Sequence, residues 1–79
     1  MDINKLYQII RKTLNLPDSF EFEKNVRPSF IPGWDSLGWM QIITEIENEI
    51  GSELPLDIFS ELGTVDEFCA RILKYITTK

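Results

Sequence analysis

Residues 32–51 read PGWDSLGWMQIITEIENEIG and contain both boundaries of one helix. Asp35 is a good N-cap residue, and Gly51 stands where helices commonly end in the left-handed conformation. Nothing between them interrupts a helical pattern, so the sequence predicts a helix over residues 36–50. At about 100° per residue, its core-facing stripe comprises Trp39, Ile42, Ile43, Ile46 and Ile50.

A second apolar group lies on the polar side of this predicted helix. Leu37 and Met40 fall outside the core-facing stripe. Their neighbours on that side are polar or acidic: Gln41, Thr44, Glu47 and Asn48. Either Leu37 and Met40 cover the preceding loop, or they form a docking surface for another protein.

A helix is also predicted near each end of the chain. Asp2 can cap the first helix, and Leu16-Pro17 ends it. Its apolar positions recur at steps of three and four residues: Ile3, Leu6, Ile9, Ile10 and Leu14. Residues 64–67, TVDE, form a capping box that begins the last helix. The apolar stripe of that helix comprises Val65, Phe68, Cys69, Ile72, Leu73 and Ile76.

The segments between these helices differ in length. Pro55 can begin a short helix through Leu62, which Gly63 stops. Residues 16–34 contain three prolines and are predicted to form a long loop. We expect its apolar side chains to hold it on the core: Phe20, Phe22, Val26, Phe30 and Ile31. Three long helices, one short helix and no alternating strand pattern predict an all-α bundle of four helices.

Length and charge narrow the classes of function. The chain has 79 residues, of which 43% are hydrophobic, which suffices for one domain over residues 1–79 with a single core. The net charge is -5, and residues 28–70 hold nine acidic residues and no basic one. This charge disfavours binding to nucleic acid or anionic membranes and favours basic protein partners. A solvated acidic face without a partner is the alternative.

Histidine is absent from the chain and cysteine occurs once, although both are common in enzyme active sites. The chain has no His, and Cys69 is its single cysteine, which removes the commonest general base, the usual zinc ligand sets and any internal disulfide. Residues 33–38 lack the spacing and the His partner of a hydrolase nucleophile elbow. We therefore expect no catalytic residue and no metal site. The N-terminus is not signal-like and no apolar run reaches about 18 residues, so a cytoplasmic protein without membrane insertion is expected.

Ser36 follows the predicted N-cap in the first turn of the second helix. Free backbone amides and the positive end of the helix dipole favour a phosphate attached at such a position. Ser is also common at helix starts for purely structural reasons. Spacing alone leaves both interpretations open.

Asp35-Ser36-Leu37 closely resembles the motif of the acyl carrier protein family. In this chain the motif begins the second helix after a Pro/Gly loop, and an acidic helix, a short third helix and an amphipathic last helix follow. The resemblance covers the chain from Ile3 to Ile76. The tripeptide alone is weakly specific, but its position, the chain length, the acidity and the order of helices together make the match specific.

The resemblance implies a fold, a cofactor and a set of partners. The family is a four-helix bundle whose motif serine, here Ser36, receives 4′-phosphopantetheine from coenzyme A. A separate phosphopantetheinyl transferase performs this step with magnesium, and Asp35 matches the family position beside that metal. The thiol of the arm then carries an acyl or aminoacyl group as a thioester, and loading and transfer enzymes with basic docking surfaces act on it. The chain itself is then no enzyme, and we expect it to be a monomer.

The family also indicates which residues meet partner enzymes. Five positions of the second helix match partner-binding positions: Leu37, Met40, Gln41, Thr44 and Glu47. Gly38 and Gln41 stand where fatty acid synthesis carriers usually have acids, and Thr44 replaces a usual apolar residue. Together with Trp34, these departures favour a stand-alone carrier of a specialised pathway. A general fatty acid synthesis carrier and an unmodified acidic helical adaptor protein are the alternatives.

Overall fold

The computed structural model describes residues 2–55 and 63–77, and within them the chain is all-helical. The helices are α1 (Ile3–Thr13), α2 (Ser36–Ile50) and α3 (Val65–Thr77), and one turn of 3₁₀ helix spans Pro28–Phe30. No strand occurs in the described ranges. The all-α prediction is therefore confirmed. The predicted short helix from Pro55 through Leu62 lies, apart from Pro55, outside the described residues.

Helix α1 begins as predicted but ends by a local motif. The Asp2 carboxylate accepts the Lys5 N–H at 2.9 Å, which satisfies one free amide of the first turn. At the other end, Asn15 adopts the left-handed conformation with φ 58°, and the Leu16 N–H donates to the Arg11 carbonyl at 2.8 Å. This is the Schellman arrangement, with Asn in the place where Gly is commoner. The helix therefore stops before Pro17 is reached.

Both predicted ends of α2 are confirmed. Asp35 accepts the Gly38 N–H at 2.8 Å through its side chain, as an N-cap does. Gly51 has a φ of 73° and donates its N–H to the Glu47 carbonyl at 2.8 Å. Helix α3 begins at Val65, where Thr64 Oγ1 accepts the Glu67 N–H at 3.2 Å. One of the two capping-box bonds is thus observed.

The three helices share one core. Its buried members are Leu6, Ile10, Ile31, Trp34, Ile42, Ile46, Leu54, Val65, Phe68, Cys69 and Ile72. Helices α1 and α2 run antiparallel: Lys5 pairs with Glu49 at one end at 3.5 Å, and Leu14 lies against Gly38 at the other. The start of α2 therefore lies beside the end of α1. Among the described residues, every helix is too short or too polar to cross a bilayer.

Polar and aromatic contacts hold the long loop on the helices. Arg11 Nε donates to the Phe20 carbonyl at 2.7 Å, and the Arg11 guanidinium lies 5.2 Å from the centre of the Phe22 ring. The Val65 N–H donates to the Val26 carbonyl at 2.8 Å, which joins the loop to the start of α3. The prediction that apolar side chains pack this loop on the core is confirmed for four residues: Phe20, Phe22, Val26 and Ile31.

Phe30 is the exception within this loop. It lies in the 3₁₀ turn and is 76% exposed, so the prediction that it packs on the core is wrong. The physical reason is local: the 3₁₀ turn, closed by the Ile31 N–H on the Pro28 carbonyl at 2.9 Å, directs Ile31 inward and leaves Phe30 outside. The predicted long loop over residues 16–34 thus contains one turn of 3₁₀ helix.

Candidate functional site at the start of helix α2

Ser36 is exposed and is the first residue of α2. Asp35, directly before it, uses Oδ1 to accept the Gly38 N–H, while its backbone carbonyl accepts the Trp39 N–H at 2.8 Å. These two bonds hold the first turn of the helix in one conformation. The hydroxyl of Ser36 is thereby presented to solvent from a rigid element.

The backbone at this end suits a negatively charged substituent on Ser36. The first amides of a helix have no acceptor inside the helix, and the Asp35 carboxylate takes only that of Gly38. The amides of Ser36 and Leu37 stay available at the positive end of the helix dipole. A phosphate ester on the Ser36 hydroxyl fits this environment, because amide donors and the dipole both favour an anion.

An aromatic cluster packs against the core side of this first turn of α2. The Trp34 ring meets Trp39 edge to face at 5.0 Å between ring centres, and Trp39 meets Phe68 of α3 at 5.1 Å. Trp34 is only 7% exposed. Its Nε1 has no hydrogen-bond partner among residues 2–55 and 63–77, which costs about 1–3 kcal/mol that the ring packing has to offset. The residue before Asp35 is thus anchored in the core, and this fixes where Ser36 emerges.

Gly38 proves to be a packing residue. It is buried, and a Cβ built there would lie 2.4 Å from the Gly33 carbonyl oxygen and 3.2 Å from Leu14 Cδ2. The interpretation of position 38 as a recognition position that has lost its acid therefore needs correction. In this backbone no side chain fits there, because the loop before α2 approaches the helix too closely.

The predicted partner-binding residues share the outer face of α2. Leu37 is 63% and Met40 is 66% exposed, so the interpretation that they cover the loop is wrong. Gln41 and Thr44 are exposed as well, and the Thr44 hydroxyl donates to the Met40 carbonyl at 2.9 Å. Two large apolar side chains therefore stand in solvent within the first five residues of the helix.

Glu47 differs from the other predicted partner-binding residues. It is half-buried, and its Oε2 accepts the Leu54 N–H at 2.9 Å. The carboxylate thus ties α2 to the chain that follows Gly51. Its partner-binding role stays a prediction, and the structure adds an internal role that sequence reasoning missed, since a bond across seven residues leaves no periodic signal.

A groove between α1 and α2 was also not foreseen. It encloses about 840 Å³. Its walls are formed by two sets of residues, on α1 by Lys5, Gln8, Ile9, Lys12 and Thr13, and on α2 by Leu37, Met40, Gln41, Thr44, Glu45 and Glu49. Four of the five predicted partner-binding residues thus lie on one wall of the groove, and Glu47 does not line it.

The comparison with protein families identifies the family of the chain. A family model described as "Phosphopantetheine attachment site" matches residues 4–72. Neither a curated protein nor a solved structure matches the chain. The match covers most of the chain, so the protein belongs to the family of phosphopantetheine-binding carrier domains. More particularly, it is a carrier of the acyl carrier protein type, to which 4′-phosphopantetheine is covalently attached and which works with enzymes that load and transfer acyl groups.

Proposed function

We propose that this protein carries an acyl or aminoacyl group as a thioester on 4′-phosphopantetheine attached to Ser36. The observation that carries the proposal is the exposed Ser36 hydroxyl on a turn that Asp35 caps and Trp34 anchors. Residues 1–79 act as one carrier domain in this proposal, with the four-helix arrangement that the family resemblance implies. The protein is the substrate of partner enzymes and is not itself a catalyst.

Attachment requires one nucleophilic step at Ser36. A phosphopantetheinyl transferase removes the hydroxyl proton, and Ser36 Oγ forms a bond to the phosphorus next to the pantetheine of coenzyme A, releasing adenosine 3′,5′-bisphosphate. Asp35 Oδ1 accepts the Gly38 N–H, so Oδ2 would remain available to the magnesium ion that the transferase supplies. The attached arm supplies the thiol that this chain lacks in accessible form, since Cys69 is buried.

The attachment site is tested by mass spectrometry after incubation with coenzyme A and a broad-range phosphopantetheinyl transferase. We expect the wild-type protein to gain one phosphopantetheine and Ser36→Ala to gain none. Ser29→Ala is the matched control, because Ser29 is also exposed but lies in the 3₁₀ turn. It should gain one group. A wild-type protein without added mass, or modification of Ser36→Ala, would contradict the proposal.

We further propose that the carrier serves a specialised pathway. Position 41, where fatty acid synthesis carriers usually have an acid, carries the neutral Gln41 on the exposed face beside Met40. The basic docking surface of a fatty acid synthesis enzyme therefore lacks a counter-charge near Ser36. Equal loading of this protein and of the general carrier by such an enzyme would instead support the fatty acid alternative.

A further inference from the structure

The groove between α1 and α2 is long enough to bind a further helix of several turns. It extends along α2 from Leu37 to Glu49, a rise of about 18 Å at 1.5 Å per residue. Ile9 from α1 and the exposed Leu37 and Met40 from α2 supply its apolar contacts. Partner helices commonly bind in grooves of this type through an apolar stripe.

The charges along the groove change sign from one end to the other. Lys12 lies in the last turn of α1, hence at the Ser36 end of the groove, where the α2 wall begins with the neutral Leu37, Met40 and Gln41. No carboxylate lies within ion-pair distance of Lys12 among residues 2–55 and 63–77. Toward the far end the α2 wall carries Glu45 and Glu49, and Lys5 of α1 pairs with Glu49 at 3.5 Å. Among the residues that line the groove, the charge is thus positive at the Ser36 end and negative toward the far end.

We propose that this groove docks an amphipathic helix of the enzyme that acts on the arm. That helix places its apolar stripe on Leu37, Met40 and Ile9, an acidic side chain over Lys12 and a basic side chain over Glu45. The charge order fixes the direction in which the partner lies on the carrier, and so directs its active site toward Ser36. The proposal rests on the carrier function proposed above.

Gln41 acquires a role in this arrangement. It lines the groove with Lys12, and a Glu at position 41 would neutralise the lysine. With Gln41, the positive charge of Lys12 stays available and repels a uniformly basic docking helix at the end closest to Ser36. The neutral residue therefore selects partners with mixed charge.

The proposal is tested with two synthetic helical peptides of 18 residues that share one apolar stripe. The mixed peptide carries Glu at one end and Lys at the other, and the basic peptide carries Lys at both. Each is titrated into the isotope-labelled apo protein, and backbone amide shifts give both the binding site and the Kd. Shifts are expected along the α1 and α2 walls of the groove, with α3 unchanged.

Two variants isolate the contribution of Lys12. Lys12→Glu and Lys24→Glu change the net charge equally, but Lys24 is exposed in the loop and does not line the groove. In Lys12→Glu we expect the preference for the mixed over the basic peptide to fall at least about fivefold, because the reversed charge weakens binding of the mixed peptide and strengthens binding of the basic one. In Lys24→Glu the preference should stay within twofold of wild type. Met40→Ala should weaken both peptides equally.

Several outcomes would overturn the docking proposal. These are the absence of groove shifts with both peptides, or an equal change of preference in Lys12→Glu and Lys24→Glu. Groove shifts caused by dilution alone would indicate a second copy as the occupant, and shifts caused by attaching the arm alone would indicate the arm. Samples that gain phosphopantetheine at Ser36 but bind no peptide refute docking only. Samples that gain none refute the carrier function.

Discussion

At Gly38, packing requires the absence of a side chain. The loop that leads into α2 brings the Gly33 carbonyl to a distance at which a Cβ on residue 38 would overlap it. A carbonyl in the backbone cannot move aside as the end of a flexible side chain can. Because the loop fits closely on α2 at Gly38, position 38 has no room for an acidic side chain beside Leu37.

Gly38→Ala is expected to destabilise the fold although Ala favours helices. The overlap with Gly33 should outweigh the gain of up to about 1 kcal/mol in helix propensity and lower the free energy of unfolding by about 1–3 kcal/mol. Urea unfolding followed by circular dichroism measures this. Gln41→Ala, exposed on the same helix, should stay within about 0.5 kcal/mol of wild type. A Gly38→Ala protein as stable as wild type would show that the loop yields easily.

Helix α2 has two apolar faces with different tasks. Ile42 and Ile46 are fully buried among α1 and α3 residues, whereas Leu37 and Met40 are mostly in solvent. Exposed apolar side chains of this size weaken solubility without stabilising the fold. The proposed contacts with a partner enzyme would account for their presence next to Ser36.

Ile46→Ala and Met40→Ala should separate these two faces. Ile46→Ala leaves a cavity in the middle of the core and should lower the free energy of unfolding by about 2–5 kcal/mol. Met40→Ala removes an exposed side chain and should change it by less than about 0.5 kcal/mol. Denaturant unfolding of both variants measures the difference. If Met40→Ala were the more damaging change, the assignment of the two faces would be reversed.

In the whole molecule, α1 and α3 meet through a polar contact at the edge of the core. The Tyr7 hydroxyl donates to an Asp66 carboxylate oxygen, and the Tyr7 ring stacks on Phe22 of the loop at 4.8 Å between ring centres. Burial, and next the bond to Asp66, raise the pKa of Tyr7 above its usual value near 10. Burial raises the pKa of the Cys69 thiol to about 12.

These raised pKa values predict loss of stability in alkali. A group whose pKa is higher in the folded protein stabilises the fold fully below its unfolded pKa and loses that contribution as pH rises. For Cys69 the loss begins near pH 9 and continues toward about 12, and for Tyr7 it begins near pH 10. We expect urea unfolding to show a free energy that falls above about pH 9.

Cys69→Ala is the control for this pH dependence. The variant loses some core packing at every pH, but its free energy of unfolding should fall less steeply than that of wild type between about pH 9 and 10. Tyr7→Phe should likewise fall less steeply above about pH 10. Parallel curves for wild type and both variants would mean that other groups cause the loss in alkali.

Local chemistry allowed the sequence by itself to determine the ends and faces of α2. An N-cap at Asp35 and a left-handed Gly51 act within one turn of the chain, and the period of 3.6 residues separates Ile46 from Met40. The motif around Ser36 could be recognised from the sequence because its three residues are consecutive. The ends and faces of a helix can therefore be predicted without knowing which segments pack against it.

Contacts between segments that are distant in the chain were decided only by the tertiary structure. It showed that Gly33 lies over Gly38, that Glu47 accepts the Leu54 N–H, that Phe30 is exposed, and that Lys12 lines the groove between α1 and α2. The groove exists because α1 and α2 run antiparallel side by side. The relative position of two helices depends on the packing of their whole surfaces, and no single stretch of sequence records it.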